Sequence, residues 1–203
     1  MNYYQTLLAD NTYHIFSRAV GNEKLFTCKK DYQNFLRRFQ EYINPVALTY
    51  VYALLPNHFH FLIKIKPYHI LLDLFKDSKS YRDEFDGWQS KFVMQQFSNM
   101  LNGYTKSFNC KYERKGALFM DYLRRVEVED DAQFSTAIFY IHKNPVHHGY
   151  CLNISDWEWS SYNTMLSEAP TSLHRNEVLK WFGNHDKFIE FHNQPIYLKE
   201  ILE

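Results

Sequence analysis

The fold of this chain is decided by one short stretch, which reads Leu54-Leu55-Pro56-Asn57-His58-Phe59-His60-Phe61-Leu62-Ile63-Lys64-Ile65. Side chains alternate between the two faces of a β-strand, so His58 and His60 share one face and the phenylalanines between and after them share the other. Residues two apart in a strand are separated by about 6–7 Å, which lets two imidazoles reach one cation with bonds of about 2.1 Å. A lone strand histidine is usually a structural residue, but the pair after a Pro-Asn turn predicts a metal site on a sheet.

The segments around this stretch predict an α+β chain. The predicted elements are, in order, strand 12–17, a helix capped by Asp31, a central strand 46–55, the histidine strand, helix 91–111, strand 117–128, and a helix from Asp130 or Asp131 to Asn144-Pro145. The order β-α-β-β-α-β followed by a helix is that of the split βαβ, or ferredoxin-like, antiparallel sheet. We interpret residues 67–90 as an inserted or mobile segment of a catalytic domain spanning 1–165, with 166–203 as a helical or irregular appendage.

Bulk composition restricts the function classes. The chain has 203 residues, 45% of them hydrophobic, which is enough for one core, and its formal net charge is zero. Any polyanion must therefore be met by a local basic patch. The three cysteines have no C-x-x-C spacing and predict reduced thiols rather than disulfides or a zinc knuckle. No signal peptide or apolar run of membrane-spanning length is recognisable, so a cytoplasmic protein is expected.

A second cluster could complete the site. Tyr140 and Asn144 are four residues apart in the last predicted helix and therefore lie on one helical face. If that face docks beside His58 and His60, Asn144 could be a third metal ligand and Tyr140 a nucleophile. A phenol, with an ordinary pKa of about 10, needs a cation on the electrophile or a nearby base before it attacks a phosphodiester. On spacing alone, Tyr140 could equally pack on the sheet and Asn144 could simply end the helix.

These residues resemble a known family. Pro56-Asn57-His58-Phe59-His60 resembles the Pro-x-His-hydrophobic-His motif of single-strand DNA transposases that use one tyrosine, and residues 140–146 (Tyr-Ile-His-Lys-Asn-Pro-Val) resemble their Tyr-Ile-x-x-Asn-Pro-Val signature. Residues 156–162 (Asp-Trp-Glu-Trp-Ser-Ser-Tyr) are similar to a stretch of the REP-associated branch. The resemblance covers roughly residues 12–162 with the motifs in the family's order, so it is more specific than a His-x-His pair alone.

The resemblance implies a function and a set of roles. It implies a ferredoxin-like endonuclease, usually dimeric, that acts on single-stranded DNA, often beside a hairpin. His58, His60 and Asn144 would hold Mg²⁺ or Mn²⁺, and Tyr140 would attack the phosphate to give a 5′-phosphotyrosine and a free 3′-hydroxyl. Ligand softness alone favours Mn²⁺ or Zn²⁺ over Mg²⁺ for two imidazoles and an amide oxygen. Such a protein would associate with the nucleoid when bound to DNA.

Several further side chains are candidates for contact with DNA. The basic ones are Arg18, Lys64, Lys106, Arg114, Lys115, Arg124, Arg125 and Lys143. The aromatic residues Tyr104, Phe108 and Tyr112 could stack on unpaired bases. His142, His147 and His148 are expected on the surface or facing DNA, without a ligand register. His14 could face the site from a neighbouring strand, although a structural role is the favoured interpretation.

Two alternative functions stay open at this point. The first is a non-enzymatic ferredoxin-like module that binds single-stranded nucleic acid by stacking bases on exposed aromatic residues. The second is a metallohydrolase in which metal-bound water attacks and Tyr140 only positions the substrate. The two differ from the tyrosine nuclease because neither forms a covalent protein–DNA adduct.

Overall fold

The computed structural model describes residues 3–78, 81, 86–120 and 123–194. Its sheet is open, antiparallel and four-stranded, with the strand order β2-β3-β1-β4. The elements are β1 Thr12–Arg18, α1 Lys29–Tyr42, β2 Ala47–Leu55, β3 His58–Ile65, α2 Tyr68–Lys76, α3 Trp88–Lys111, β4 Arg124–Val128, α4 Asp131–His147, a 3₁₀ turn Ile154–Asp156, α5 Tyr162–Leu166, α6 Arg175–Phe182 and α7 His185–His192. The predicted α+β class, with its antiparallel ferredoxin-like sheet, is confirmed.

The two faces of the sheet carry separate cores. On one face, Phe59, Phe61 and Ile63 of β3 are buried against α1 and α3. On the other face, Leu62 is buried with apolar residues of α4, α6 and α7, among them Val178 and Phe188. Alternation along β3 therefore sends its phenylalanines to one core and its histidines towards α4, as the sequence predicts. The C-terminal helices belong to the second core, and whether 166–203 is a separate unit stays a prediction.

The apolar strand β2 lies at the edge of the sheet, so the predicted central position is wrong. Helices cover both of its faces, which explains its apolar character on both sides. Its free edge is covered by an irregular segment, because Leu54 N donates to the carbonyl of Trp159 at 2.8 Å and Ser161 N donates to that of Tyr52 at 2.9 Å. Covering the edge satisfies backbone groups that would otherwise be open to another chain.

Two predicted helix ends differ from the structure. Helix α1 begins after Cys28, and Asp31 lies in its first turn, where its carboxylate accepts from the backbone N–H groups of Thr27 and Cys28 at 2.9 and 3.0 Å. Helix α4 begins after Asp130 as predicted but continues through Pro145 to His147. The proline falls in the last turn, where its missing N–H removes only one late helical hydrogen bond. Asn144 thus stays helical, directly one turn beyond Tyr140.

Two predicted segments also change. Strand β4 begins at Arg124 rather than at residue 117, and before it Phe119 forms only an isolated bridge with Ala19. Within the segment 67–90, residues 68–76 form helix α2, whose Leu71 and Phe75 are buried in the first core, so this part is folded rather than mobile. Residues 79, 80 and 82–85 lie outside the described residues. Among the described helices, none combines the length and apolarity needed to cross a membrane.

Candidate active site

Three strands contribute side chains to one patch of the sheet. His58 and His60 lie on the α4-facing side of β3, and the register places Arg18 of β1 opposite His58 and Phe16 opposite His60. On the other side of β1, Arg124 of β4 lies opposite Phe16. Because the β1 residues are also two apart, all five side chains emerge on the same face. The patch therefore combines two imidazoles with two guanidinium groups.

Helix α4 brings the predicted tyrosine and asparagine to this patch. Ile138 and Ile141 anchor the helix in the second core, and Tyr140 and Asn144 are buried as well, with 6% and 0% of their surface exposed. The Tyr140 ring meets the His60 ring edge-on, with centroids 5.5 Å apart. The structure thus brings together the four residues that the sequence motifs nominate.

His58 is held between two amide side chains. Its Nδ1 lies 2.7 Å from Asn57 Oδ1 and its Nε2 lies 2.9 Å from Asn144 Oδ1. Burial, opposed by the hydrogen bond to Asn144, lowers the pKa of His58 to about 4, so the ring is neutral at pH 7 and has a single N–H. One of the two contacts therefore joins a nitrogen lone pair to a carbonyl oxygen. A rotated amide or a cation between the two atoms would relieve this conflict.

His60 is paired with another histidine. Its Nδ1 lies 2.9 Å from Nε2 of His14, which is completely buried on β1. Burial lowers the pKa of His60 well below its ordinary value and that of His14 to about 3. Both rings are therefore neutral at pH 7. His14 therefore faces the site from the neighbouring strand, and its structural role stays a prediction.

An open cavity of about 390 Å³ lies over the patch. Among the groups that line it are Tyr140, both strand histidines, Arg18, Arg124 and His148. His148 is exposed, as expected, and its ring centroid is 4.7 Å from that of His58. Its signal in the sequence is spacing, because His148 follows Asn144 by four residues and Tyr140 by eight, which continues the same helical face. The cavity is thus a cleft where nitrogen donors, a phenol and two cations converge.

The other predicted DNA contacts are placed differently. Arg125 donates to the backbone carbonyls of Gln5, Leu123 and Tyr4, and Arg114 donates to those of Gly116 and Ala117 and pairs with Glu23. These two guanidinium groups tie the chain together, and we leave them out of the proposed DNA surface. Four lysines, Lys64, Lys106, Lys115 and Lys143, are exposed or partly exposed and do not line the cavity. Only Arg18 and Arg124 of the eight predicted cations do.

Two expectations about aromatic and histidine residues are wrong. Tyr104 and Phe108 are buried in the first core, with 1% and 6% exposed, and cannot stack on unpaired bases without leaving it. Tyr112 donates to Asp31 at 2.7 Å and is only partly exposed. His142 is completely buried and bonded to His192 and Ser161, because it points from α4 into the second core. Helical position, rather than residue type, decides each of these outcomes.

The donor set of the site fits a divalent cation. Two ligands at right angles around a cation with bonds of about 2.1 Å lie about 3.0 Å apart. The 2.9 Å between His58 Nε2 and Asn144 Oδ1 matches that separation, and Asn144 Nδ2 is buried without a hydrogen-bond partner within the described ranges. No group of three or more His, Cys, Asp or Glu side chains among the described residues is arranged to hold a metal. A metal here would therefore require the carboxamide of Asn144.

An open antiparallel sheet with a histidine pair facing a helix-borne tyrosine is the arrangement that the resemblance to single-tyrosine DNA transposases implies. Comparison with known proteins points to the REP-associated branch. A Haemophilus influenzae protein named as a REP-associated tyrosine transposase is 25% identical over 141 residues, which cover 68% of each chain. The solved structure of a REP-associated tyrosine transposase bound to a REP hairpin has the same fold, with a TM-score of 0.57 at 14% identity, covering 84% of this chain and 88% of that one. No protein-family model matches the chain. The resemblance to REP-associated tyrosine transposases is thus confirmed.

Proposed function

We propose that this protein is a metal-dependent endonuclease and strand transferase for single-stranded DNA, acting through a 5′-phosphotyrosine at sites flanked by hairpins. One observation carries the proposal: Tyr140 reaches the same 390 Å³ cavity as His58 and His60, while Asn144 contacts His58 from the turn behind it. The names of the two similar proteins support a transposase-like action on DNA, and the hairpin bound by one of them supports the substrate class.

The chemistry assigned to Tyr140 is a transesterification. Its phenolic oxygen forms a bond to phosphorus, and the bond from phosphorus to the 3′-oxygen of the upstream strand breaks. The phenol loses its proton, and the leaving 3′-oxygen gains one. Attack by another 3′-hydroxyl on the phosphotyrosine reverses these bonds and joins strands. Because each step exchanges one phosphodiester for another, no nucleotide cofactor is consumed.

The neutral side chains at the site suit a metal ligand role. Burial keeps both strand histidines unprotonated at neutral pH, and a ring nitrogen must carry a lone pair to bind a cation. His58, His60 and Asn144 would hold Mg²⁺ or Mn²⁺. When bound, the ion would supply positive charge next to the scissile phosphate. The scissile phosphate would then lie in the cavity that Tyr140, His58 and His60 line.

Two arginines and one tyrosine suit the path of the strand. Arg18 and Arg124 line the cavity on the side opposite α4 and offer two cations to backbone phosphates. Tyr150, at the cavity rim with 41% of its surface exposed, offers a flat face to an unpaired base. Stacking of a base on an aromatic side chain contributes about 1–3 kcal/mol. A homodimer and association with the nucleoid are part of the proposal by resemblance only, and the cytoplasmic location is carried over from the sequence analysis.

The test is a denaturing gel with hairpin-flanked single-stranded DNA and Mn²⁺. DNA labelled at its 3′ end should become covalently attached to the wild-type protein, because the 5′ phosphate of the downstream fragment stays on Tyr140. DNA labelled at its 5′ end should give a shorter free strand. Tyr140→Phe should give neither product while still binding the hairpin, because only the hydroxyl is lost.

The rival functions give different gels. Cleavage without a 3′-labelled adduct, unaffected by Tyr140→Phe, would favour attack by metal-bound water. Binding without cleavage across a broad pool of hairpins would favour the non-enzymatic module. That module has lost one of its supports, because two of the three aromatic side chains that it would use for stacking are buried in the core.

A further inference from the structure

His14 and His60 form a buried imidazole pair beside the cavity. The register places His14 opposite Leu62, so His14 is the diagonal neighbour of His60 across β1 and β3. The two rings are stacked with centroids 5.1 Å apart, and His14 Nε2 lies 2.9 Å from His60 Nδ1. His14 has no exposed surface and His60 has 5%. The chemistry assigned to Tyr140 does not use His14.

A hydrogen bond between two neutral imidazoles has only two arrangements. The 2.9 Å contact between His14 Nε2 and His60 Nδ1 needs an N–H on one ring and a lone pair on the other, and a neutral imidazole has one of each. If His14 donates, the proton of His60 must be on Nε2, and that nitrogen cannot bind a cation. If His60 donates from Nδ1, its Nε2 keeps a lone pair. The direction of this one hydrogen bond therefore decides whether His60 can be a ligand.

The neighbouring histidine indicates which direction applies. His58 has an amide oxygen at each ring nitrogen, Asn57 Oδ1 at 2.7 Å from Nδ1 and Asn144 Oδ1 at 2.9 Å from Nε2. Asn144 Nδ2 is buried without a hydrogen-bond partner among the described residues, so the Asn144 amide is the one whose rotation, or a cation beside it, resolves the conflict. Nδ1 of His58 then carries the proton and Nε2 carries the lone pair. His60 has the same geometry, with Nδ1 engaged by the protein at 2.9 Å. Metal-binding histidines generally donate their second ring nitrogen to such a partner, which fixes the tautomer and the orientation of the ring.

We propose that His14 is a positioning residue whose Nε2 accepts the hydrogen bond from His60 Nδ1 and so keeps the Nε2 lone pair of His60 available to the metal. This inference rests on the proposed function. The ring of His14 is held in place, because it stacks on Phe16 with centroids 4.8 Å apart and meets the Tyr140 ring edge-on at 5.9 Å. Its Nδ1 has no hydrogen-bond partner among the described residues, so the bond to His60 is its sole described polar contact.

Three variants separate the role of His14 from its packing. His14→Phe keeps a ring but removes the acceptor. His14→Gln restores an acceptor oxygen and should restore the wild-type tautomer of His60 and the affinity for Mn²⁺. Ile15→Val, also completely buried on β1 but on the opposite face, is the control for a modest loss of stability that leaves the site intact. Thermal unfolding of each variant establishes that it is folded before binding is measured.

The first readout needs no metal. Long-range ¹H–¹⁵N correlation spectra of the histidine rings in metal-free protein should show His60 protonated on Nδ1 and unprotonated on Nε2. A wild-type His60 protonated on Nε2 would overturn the inference. In His14→Phe we expect that protonation of His60 on Nδ1 is no longer favoured. In Ile15→Val we expect His60 to keep the wild-type tautomer.

The second readout is the affinity for Mn²⁺ alone, followed by the electron paramagnetic resonance of free Mn²⁺. His14→Phe should bind about 10–100-fold more weakly than wild type, as is usual when a partner of a ligand histidine is lost. His14→Gln and Ile15→Val should stay within a few-fold of wild type. Equal affinities for His14→Phe and wild type would overturn the inference. If the wild type binds no Mn²⁺, the proposed function fails instead, and the ring spectra alone decide the role of His14.

Discussion

Replacing Phe188 of helix α7 by alanine tests whether the C-terminal helices support helix α4, which carries Tyr140 and Asn144. Phe188 is completely buried, and its ring contacts Tyr162 at 5.7 Å, Phe182 at 5.3 Å and His192 at 4.2 Å between centroids. It also meets His142 of α4 at 5.9 Å. Through His142, this cluster holds the helix segment that lies between Tyr140 and Asn144.

The size of the effect follows from this environment. Replacing a buried phenylalanine by alanine lowers the free energy of unfolding by about 3–5 kcal/mol. The loss has two parts, the transfer free energy of the removed atoms and the cost of the cavity that they leave. Aromatic pairs contribute about 0.5–1.5 kcal/mol beyond burial, which favours the upper half of that range. At about 2–4 °C per kcal/mol for a chain of this size, a loss of about 4–5 kcal/mol should lower the melting temperature by about 8–20 °C.

Thermal unfolding followed by circular dichroism measures this shift. One cooperative transition that moves to lower temperature is expected, because the second core joins α4 to α6 and α7. Glu190→Ala, an exposed change on the same helix, is the matched control and should change stability by no more than about 0.5 kcal/mol. A separate early transition, with DNA cleavage retained above it, would refute the reasoning and support the predicted division at residue 165.

Three further outcomes are expected. Arg124→Ala should weaken binding of single-stranded DNA and reduce the slope of log K against log salt by about 0.7. The control Arg37→Ala, at an exposed position on α1 away from the cavity, should change neither the affinity nor the slope. Equal slopes for Arg124→Ala and wild type in filter-binding titrations would exclude a phosphate contact. Burial alone would raise the pKa of Asp31, but hydrogen bonds from Lys111, Tyr112 and two backbone N–H groups hold it below 3.8. The stability that Asp31 contributes is therefore present above pH 3.8 and is lost as the pH falls through its lower folded pKa. Asp31→Asn should lower the free energy of unfolding at pH 7, measured by urea denaturation, and should make that free energy depend less on pH in this acid range. Chelation with EDTA should stop DNA cleavage on the gel and added Mn²⁺ should restore it, and cleavage that continues in EDTA would contradict the metal role.

The sheet was predictable because its signals are local. Alternation in β3 and the Pro56-Asn57 turn fix the hairpin, and the helical spacing of Tyr140 and Asn144 fixes their common face. The placement of β2 at an edge was not predictable. A strand covered by helices on both faces reads as apolar on both faces whether it is central or at an edge, and the segment that covers its free edge lies more than a hundred residues later in the chain.

The histidines show where reading by residue type fails. The sequence allows His14 to face the site but favours a structural role, and its partner His60 lies 46 residues away. His142 sits two residues from both Tyr140 and Asn144, but two residues turn a helix by about 200°, which points it into the second core. His148 continues the Tyr140 face at the same four-residue spacing. The position of each histidine depends on strand register or on helical angle. Of these two, only the helical angle can be predicted from a single sequence.

The zero net charge, which is low for a protein that acts on DNA, is compatible with this site. Net charge governs the long-range field, whereas affinity depends on the cations that actually meet phosphates. Arg114 and Arg125 are occupied by internal contacts, and Lys111 is paired with Asp31. The basic residues of the chain thus serve partly to hold its loops and termini, while Arg18 and Arg124 line the cavity. Under the proposed function, binding should depend on the shape of a hairpin and on a metal more than on a broad basic surface, and the affinity for DNA should fall only gently as salt is raised.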